Sequence, residues 1–107
     1  DSKARMFLRR GYSLNKINQS LRNKGVGNEY IKNSINKIKE DKIEPDFVSA
    51  IKLCKRRRIG ALRPGSNREL FYKKDMGILA RNGFSFELSK RVLDLPLEEF
   101  NKLLRIL

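Results

Sequence analysis

Lys55, Arg56, Arg57 and Arg58 form an unbroken run of cations that leads directly into Ile59-Gly60-Ala61-Leu62-Arg63-Pro64. A guanidinium offers a planar fork that matches a phosphate or a carboxylate. Residues 52–81 hold ten bases (Lys52, Lys55, Arg56, Arg57, Arg58, Arg63, Arg68, Lys73, Lys74 and Arg81) against two acids, Glu69 and Asp75. Residues 82–107 balance four bases with four acids. The net charge of +13 and pI near 10.3 are therefore localised as well as large. Such a patch suits nucleic acid or a nucleoprotein surface. The alternative is a solvated cationic face, because four successive helical positions fan around the helix and some must meet water. The binding set expected on these grounds is Lys55, Arg56, Arg57, Arg58, Arg63, Arg68, Lys73, Lys74 and Arg81, with Arg9, Arg10, Lys24 and Lys32 as additional contacts. Tyr72 and Phe71 lie among these bases; Phe71 is expected in the core, and Tyr72 is open to base stacking.

Catalysis is poorly supplied. The chain has no histidine, so the commonest general base is missing. Glu98-Glu99 and Glu40-Asp41 are adjacent acid pairs that fit solvated helix ends. Gly25-Val26-Gly27 lacks the third glycine and the preceding strand of a dinucleotide loop. Cys54 is the one cysteine, which rules out an internal disulfide and a Cys/His zinc site. It occupies an apolar helical position and reads as a buried free thiol. The expectation is a protein that is not an enzyme and takes no cofactor or metal. No run approaches the ~18 apolar residues of a membrane span, and no signal peptide is visible. A reduced thiol then fits a cytoplasmic protein without a membrane partner. The start at Asp1, without Met, is expected to mark a piece of a longer protein.

The elements that must position the cations are helical. At 107 residues and 39% hydrophobic, the chain can form one small domain or two sub-domains. Residues 2–10 predict a short helix ended by Gly11. Ser13 caps a helix with Leu14, Ile17 and Leu21 on one face, stopped by Gly25. Gly27 or Asn28 opens the next, with Ile31, Ile35 and Ile38 aligned. Residues 39–44 read as a polar linker. Pro45 starts a helix from about 46 to 58 with Phe47, Ile51 and Cys54 on one face. A loop over 59–67 follows. Asn67 caps a helix running to about 81, with Phe71, Ile78 and Leu79 inward and Gly77 as a weak point. Ser85 caps a helix with Leu88, Val92 and Leu93. Pro96 fits a first turn before the stripe Leu97, Phe100, Leu103, Leu104 and Leu107.

The two halves repeat. Residues 21–32 align without gaps with residues 79–90, matching Leu21 with Leu79, Gly25 with Gly83, Glu29 with Glu87 and Lys32 with Lys90; Ile35 falls on Leu93. Arg9-Arg10-Gly11 resembles Arg57-Arg58-Ile59-Gly60, with an insertion around 61–70. The expected fold is all-α: two tandem three-helix repeats in an elongated chain. The first spans 1–44; the second spans 45–107 and adds the basic loop and a C-terminal helix. The helix–glycine–helix at 13–38 also has the outline of a helix-turn-helix DNA reader, with Asn28, Lys32, Asn33 and Asn36 on its second helix.

The segments 55–63 and 74–86, together with Leu21-Arg22-Asn23-Lys24-Gly25-Val26, Ile31 and Ile35, resemble the RecX family, regulators of the RecA recombinase. The resemblance covers about residues 14–95, as the later two of the family's helical repeats. Ala61-Leu62 stands where the family has Pro-Phe, which implies a looser turn. The chain is expected to be a monomer, and the resemblance implies that it binds RecA and the groove of its filament on single-stranded DNA. It also implies suppression of strand exchange and co-protease activity, and contact with single- and double-stranded DNA. Without that resemblance, the residues point to a basic helical module that binds nucleic acid without sequence preference, or to a helix-turn-helix regulator.

Overall fold

The computed structural model describes residues 2–41 and 44–107. The described residues are helical, without strands. In order they form α1 (Ser2–Arg9), α2 (Leu14–Asn23), α3 (Asn28–Asp41) and α4 (Pro45–Arg57). A 3-10 turn (Gly60–Leu62) precedes α5 (Asn67–Leu70), α6 (Tyr72–Arg81), α7 (Phe86–Leu93) and α8 (Leu97–Ile106). The molecule is elongated, 46 × 26 × 20 Å.

The boundaries follow local chemistry. Ser13 Oγ accepts the Lys16 N–H at 3.0 Å, and Ser85 Oγ accepts the Leu88 N–H at 3.1 Å. Each bond satisfies one of the free donors of a helix start, typically worth about 1 kcal/mol. At the end of α2, the Val26 N–H reaches back to Leu21 O at 3.0 Å, and Gly25 turns at φ +79°. At the end of α6, the Phe84 N–H reaches Leu79 O at 3.2 Å, and Gly83 turns at φ +90°. Both are the six-to-one closure of a helix through a left-handed residue. The 58-residue offset of the sequence repeat carries the bounds of α2 onto those of α6, and the start of α3 onto the start of α7.

Several expectations need correction. The helix foreseen from Asn67 to 81 is two helices, parted at Phe71 (φ −100°, ψ 13°), with Ser66 as the residue before the first. Gly77 lies inside α6 and does not break it. The linker foreseen over 39–44 is helical through residue 41; residues 42 and 43 lie outside the described residues. On α8, Phe100 is fully buried, but Leu97 and Leu107 are 48% and 44% exposed, so the stripe is narrower than its sequence spacing. Pro96 stands one residue ahead of the first turn.

Apolar burial forms two clusters. One gathers Ala4, Phe7, Leu8, Ile17, Leu21, Ile31 and Ile38. The other gathers Ile51, Leu53, Cys54, Ile78, Leu79, Val92, Leu93 and Phe100 with their neighbours. Ile35 and Leu88, expected as core, are only partly buried. The halves meet through close backbone approach and polar pairs. Gly11, at φ +87°, leaves only 2.8 Å between the place of a Cβ and Leu53 Cβ. Gly83 sits tighter still against Ser13 Oγ. The Leu14 N–H donates to Asp46 Oδ1 at 2.8 Å, which caps α2 from the second half. Burial pushes the Asp46 carboxyl above its usual range, partly offset by that bond. The Ser13 N–H donates to Asn82 O at 3.3 Å and Lys16 Nζ to Asn82 Oδ1 at 3.2 Å.

Candidate functional site

The basic run occupies the last turn of α4, where the helix dipole favours cations. Lys55, Arg56, Arg57 and Arg58 are all exposed. Arg58 ends the helix in the left-handed region (φ 56°, ψ 48°), a place usually held by glycine. Holding a residue with a Cβ there costs roughly 1–2 kcal/mol. Arg56 Nη1 donates to Arg10 O at 3.0 Å. This bond brings the end of α1, with exposed Arg9 and Arg10, beside the exposed cations at the end of α4. Sequence matched these two segments as repeats; the structure makes them neighbours.

Arg63 and Arg68 were expected among the binding cations at the loop margins; in the structure both guanidinium groups are bonded within the fold. Arg63 donates from Nε to Asp75 Oδ2 at 2.8 Å and from Nη2 to Asp75 Oδ1 at 2.7 Å. Asp75 Oδ2 also accepts the Gly60 N–H at 3.0 Å. The Asp75 side chain is 1% exposed and that of Arg63 17%. The carboxylate holds the Arg63 guanidinium above its ordinary pKa through this hydrogen bond. Arg68 Nη2 donates to Leu93 O at 2.7 Å and also to Leu95 O, closing the end of α7. Arg63 is held by a buried carboxylate and Arg68 by two backbone carbonyls.

Asp75 is the residue that sequence reasoning missed. It counted as one of two acids in a basic stretch, yet it fastens the loop after Arg58 to the start of α6. The turn expected to be loose at Ala61-Leu62 is a 3-10 turn with Ala61 buried and the Gly60 N–H anchored. Exposed Lys73 and Lys74 immediately precede the loop's anchor, Asp75. Phe71 is half-buried, stacked under the Arg63 guanidinium at 4.4 Å with Lys74 Nζ 5.6 Å away. Cations cover its ring, so it is not the core residue that its spacing suggested. Tyr72 OH donates to Asp94 Oδ1 at 2.9 Å, and Lys90 Nζ to Asp94 Oδ2 at 2.6 Å.

The remaining expected cations lie apart from those segments in the chain. Lys24 is exposed with Nζ 5.8 Å from the Phe7 ring. Lys32 is exposed and lines a groove of about 400 Å3 between α2 and α3, together with Asn18, Arg22, Asn28 and Asn36. Arg81 is exposed, with Nη1 3.3 Å from the place of a Gly77 Cβ. Cys54 is fully buried, and burial pushes its thiol to about 12, so it is no nucleophile near neutrality. Among the described residues no group of His, Cys, Asp or Glu could hold a metal ion. No described helix is long and apolar enough to cross a membrane.

Among the described residues the side chains of Arg9, Arg10, Lys55, Arg57 and Arg58 are exposed without a bonded partner, and such groups can meet an extended anion. No family model matches the chain, and no solved structure matches it. The chain is similar to the "Regulatory protein RecX" of Myxococcus xanthus (strain DK1622), 36% identical over 94 residues. The match takes in 86% of this chain and 49% of the relative, so the chain spans about half the length of that protein. That identity runs through most of an all-helical, elongated chain whose 55–63 and 74–86 segments meet at Asp75, and on it the chain belongs to the RecX family.

Proposed function

We propose that the chain regulates the RecA recombinase by binding its filament on single-stranded DNA and lowering recombinase and co-protease activity. Its similarity to a curated RecX protein carries this reading. The exposed cations Arg9, Arg10 and Lys55–Arg58 support it, because a recombinase filament presents DNA phosphates beside protein carboxylates. In this reading the chain works as a cytoplasmic monomer, and the same cations touch single- or double-stranded DNA directly. The two tandem units, 1–44 and 45–107, act as one rod laid along the filament. Lys73, Lys74 and Arg81 extend its contact, with Lys24 and Lys32 as outlying contacts. Arg63 and Arg68 contribute by holding the loop in place.

The experiment is RecA ATPase on single-stranded DNA with and without the chain. The expected result is a fall in ATPase at near-equal ratio to RecA. Unchanged ATPase at large excess of folded chain, with tight binding to naked DNA, would identify a plain nucleic-acid-binding module instead.

A further inference from the structure

The α2–α3 groove has a counterpart between α6 and α7. The second groove encloses about 460 Å3 and is lined by Tyr72, Lys73, Met76, Gly77, Ala80, Phe84, Phe86 and Ser89. The 58-residue offset places Met76 at the register of Asn18, Ala80 at that of Arg22 and Phe86 at that of Asn28. The first groove sets Arg22, Lys32 and three asparagines beside Ile31 and Ile35, whereas the lining of the second is mostly apolar. Phe86 is 69% exposed, an unusual placement for an aromatic side chain at a helix start where its repeat partner is asparagine. Ser89 is buried at the groove wall, and its Oγ has no hydrogen-bond partner among the described residues. The charge beside the groove is positive. Lys73 lines it, Arg81 lies against Gly77, and no acid is among the lining residues. Glu87 and Asp94 are the nearest acids in sequence to its α7 wall, and Asp94 is held by Lys90 and Tyr72.

We propose that the α6–α7 groove docks an acidic amphipathic segment of the protein partner. Its apolar side chains enter between Met76, Ala80 and Phe86, and its carboxylates lie over Lys73 and Arg81. A groove with an aliphatic and aromatic floor and a cationic edge suits the helix-in-groove mode of recognition. Nucleic acid fits the first groove better, where Arg22, Lys32 and three asparagines offer polar contacts. The proposal rests on the RecA reading for its partner and adds where the protein component of the filament is gripped.

The test uses the full chain, labelled for fluorescence anisotropy, titrated with RecA filament on single-stranded DNA and, separately, with naked single-stranded DNA. Phe86→Asn gives the groove the residue its repeat partner carries, and the exposed position leaves folding intact. It should weaken filament binding about tenfold, as for a central aromatic anchor, and leave naked-DNA binding unchanged. Ala80→Gln and Ala80→Glu place side chains of equal size on the exposed groove wall. The Glu variant should bind the filament more weakly than the Gln variant, because it repels an acidic occupant. Equal loss in the two would overturn the acidic partner. Filament affinity within twofold of the parent for Phe86→Asn would overturn the groove as a docking site. A parallel loss of naked-DNA binding would make Phe86 a base-stacking surface and overturn the protein partner. A parent chain that ignores the filament would overturn the RecA reading itself, a result distinct from variants that match a binding parent.

Discussion

Asp75 carries more of the site than any of its cations. It takes three hydrogen bonds, two from Arg63 and one from the Gly60 N–H, while its side chain is 1% exposed. Replacing it with Ala leaves a buried N–H and a confined guanidinium without a partner. We expect Asp75→Ala to destabilise the chain by about 3 kcal/mol in urea unfolding. A loss below ~1 kcal/mol would mean that the loop is held by packing alone. Arg58 makes the opposite case. Its left-handed backbone favours glycine, so Arg58→Gly should raise stability by up to about 1 kcal/mol while filament affinity falls. A variant that is more stable and binds as well as the parent would show that the cation at this turn has no role in binding. The exposed run Lys55–Arg58 was legible in the sequence because charge density is a local property. The internal use of Arg63 and Arg68 was not, because their partners lie 12 and 25 or more residues away. A composition count cannot tell a cation bound inside the fold from one free for a ligand.

Helix starts and stops were legible for the same local reason. Ser13, Ser85, Gly25 and Gly83 act within four residues of themselves, and the structure uses each as the spacing suggested. The 58-residue repeat was legible because its matching leucines and glycines form the same closure twice. The parting of α5 from α6 was not. Phe71 and Tyr72 fit a helix by propensity, but Arg63 stacking on Phe71 and its bond to Asp75 set the backbone there by tertiary contact. Gly77, a weak point by propensity, is a helical residue inside α6. Its cost remains testable. Gly77→Ala should stabilise the chain by roughly 0.5–1 kcal/mol, because the neighbour a Cβ would meet is the mobile end of exposed Arg81. A thermal melt at or below that of the parent would show that Arg81 cannot yield.

At the scale of the molecule, two apolar clusters are joined by polar and glycine-lined contacts. The all-helical, elongated form was legible from period and caps. The joint was not, since Asp46 capping α2 and Arg56 reaching Arg10 span 32 and 46 residues. That joint sets two basic segments side by side, which supports the regulator reading. The decisive measurement is affinity for RecA filament on single-stranded DNA across a salt series, for the parent and for Arg57→Ala/Arg58→Ala. Arg63 is left in place because it holds Asp75. Each lost phosphate contact should flatten the plot of log affinity against log salt by about 0.7. The account predicts a double variant that is folded, binds more weakly at low salt and has a slope reduced by about 1.4 for two such contacts. Affinity and slope equal to those of the parent at both ends of the series would contradict it, leaving the run from Lys55 to Arg58 as a solvated face.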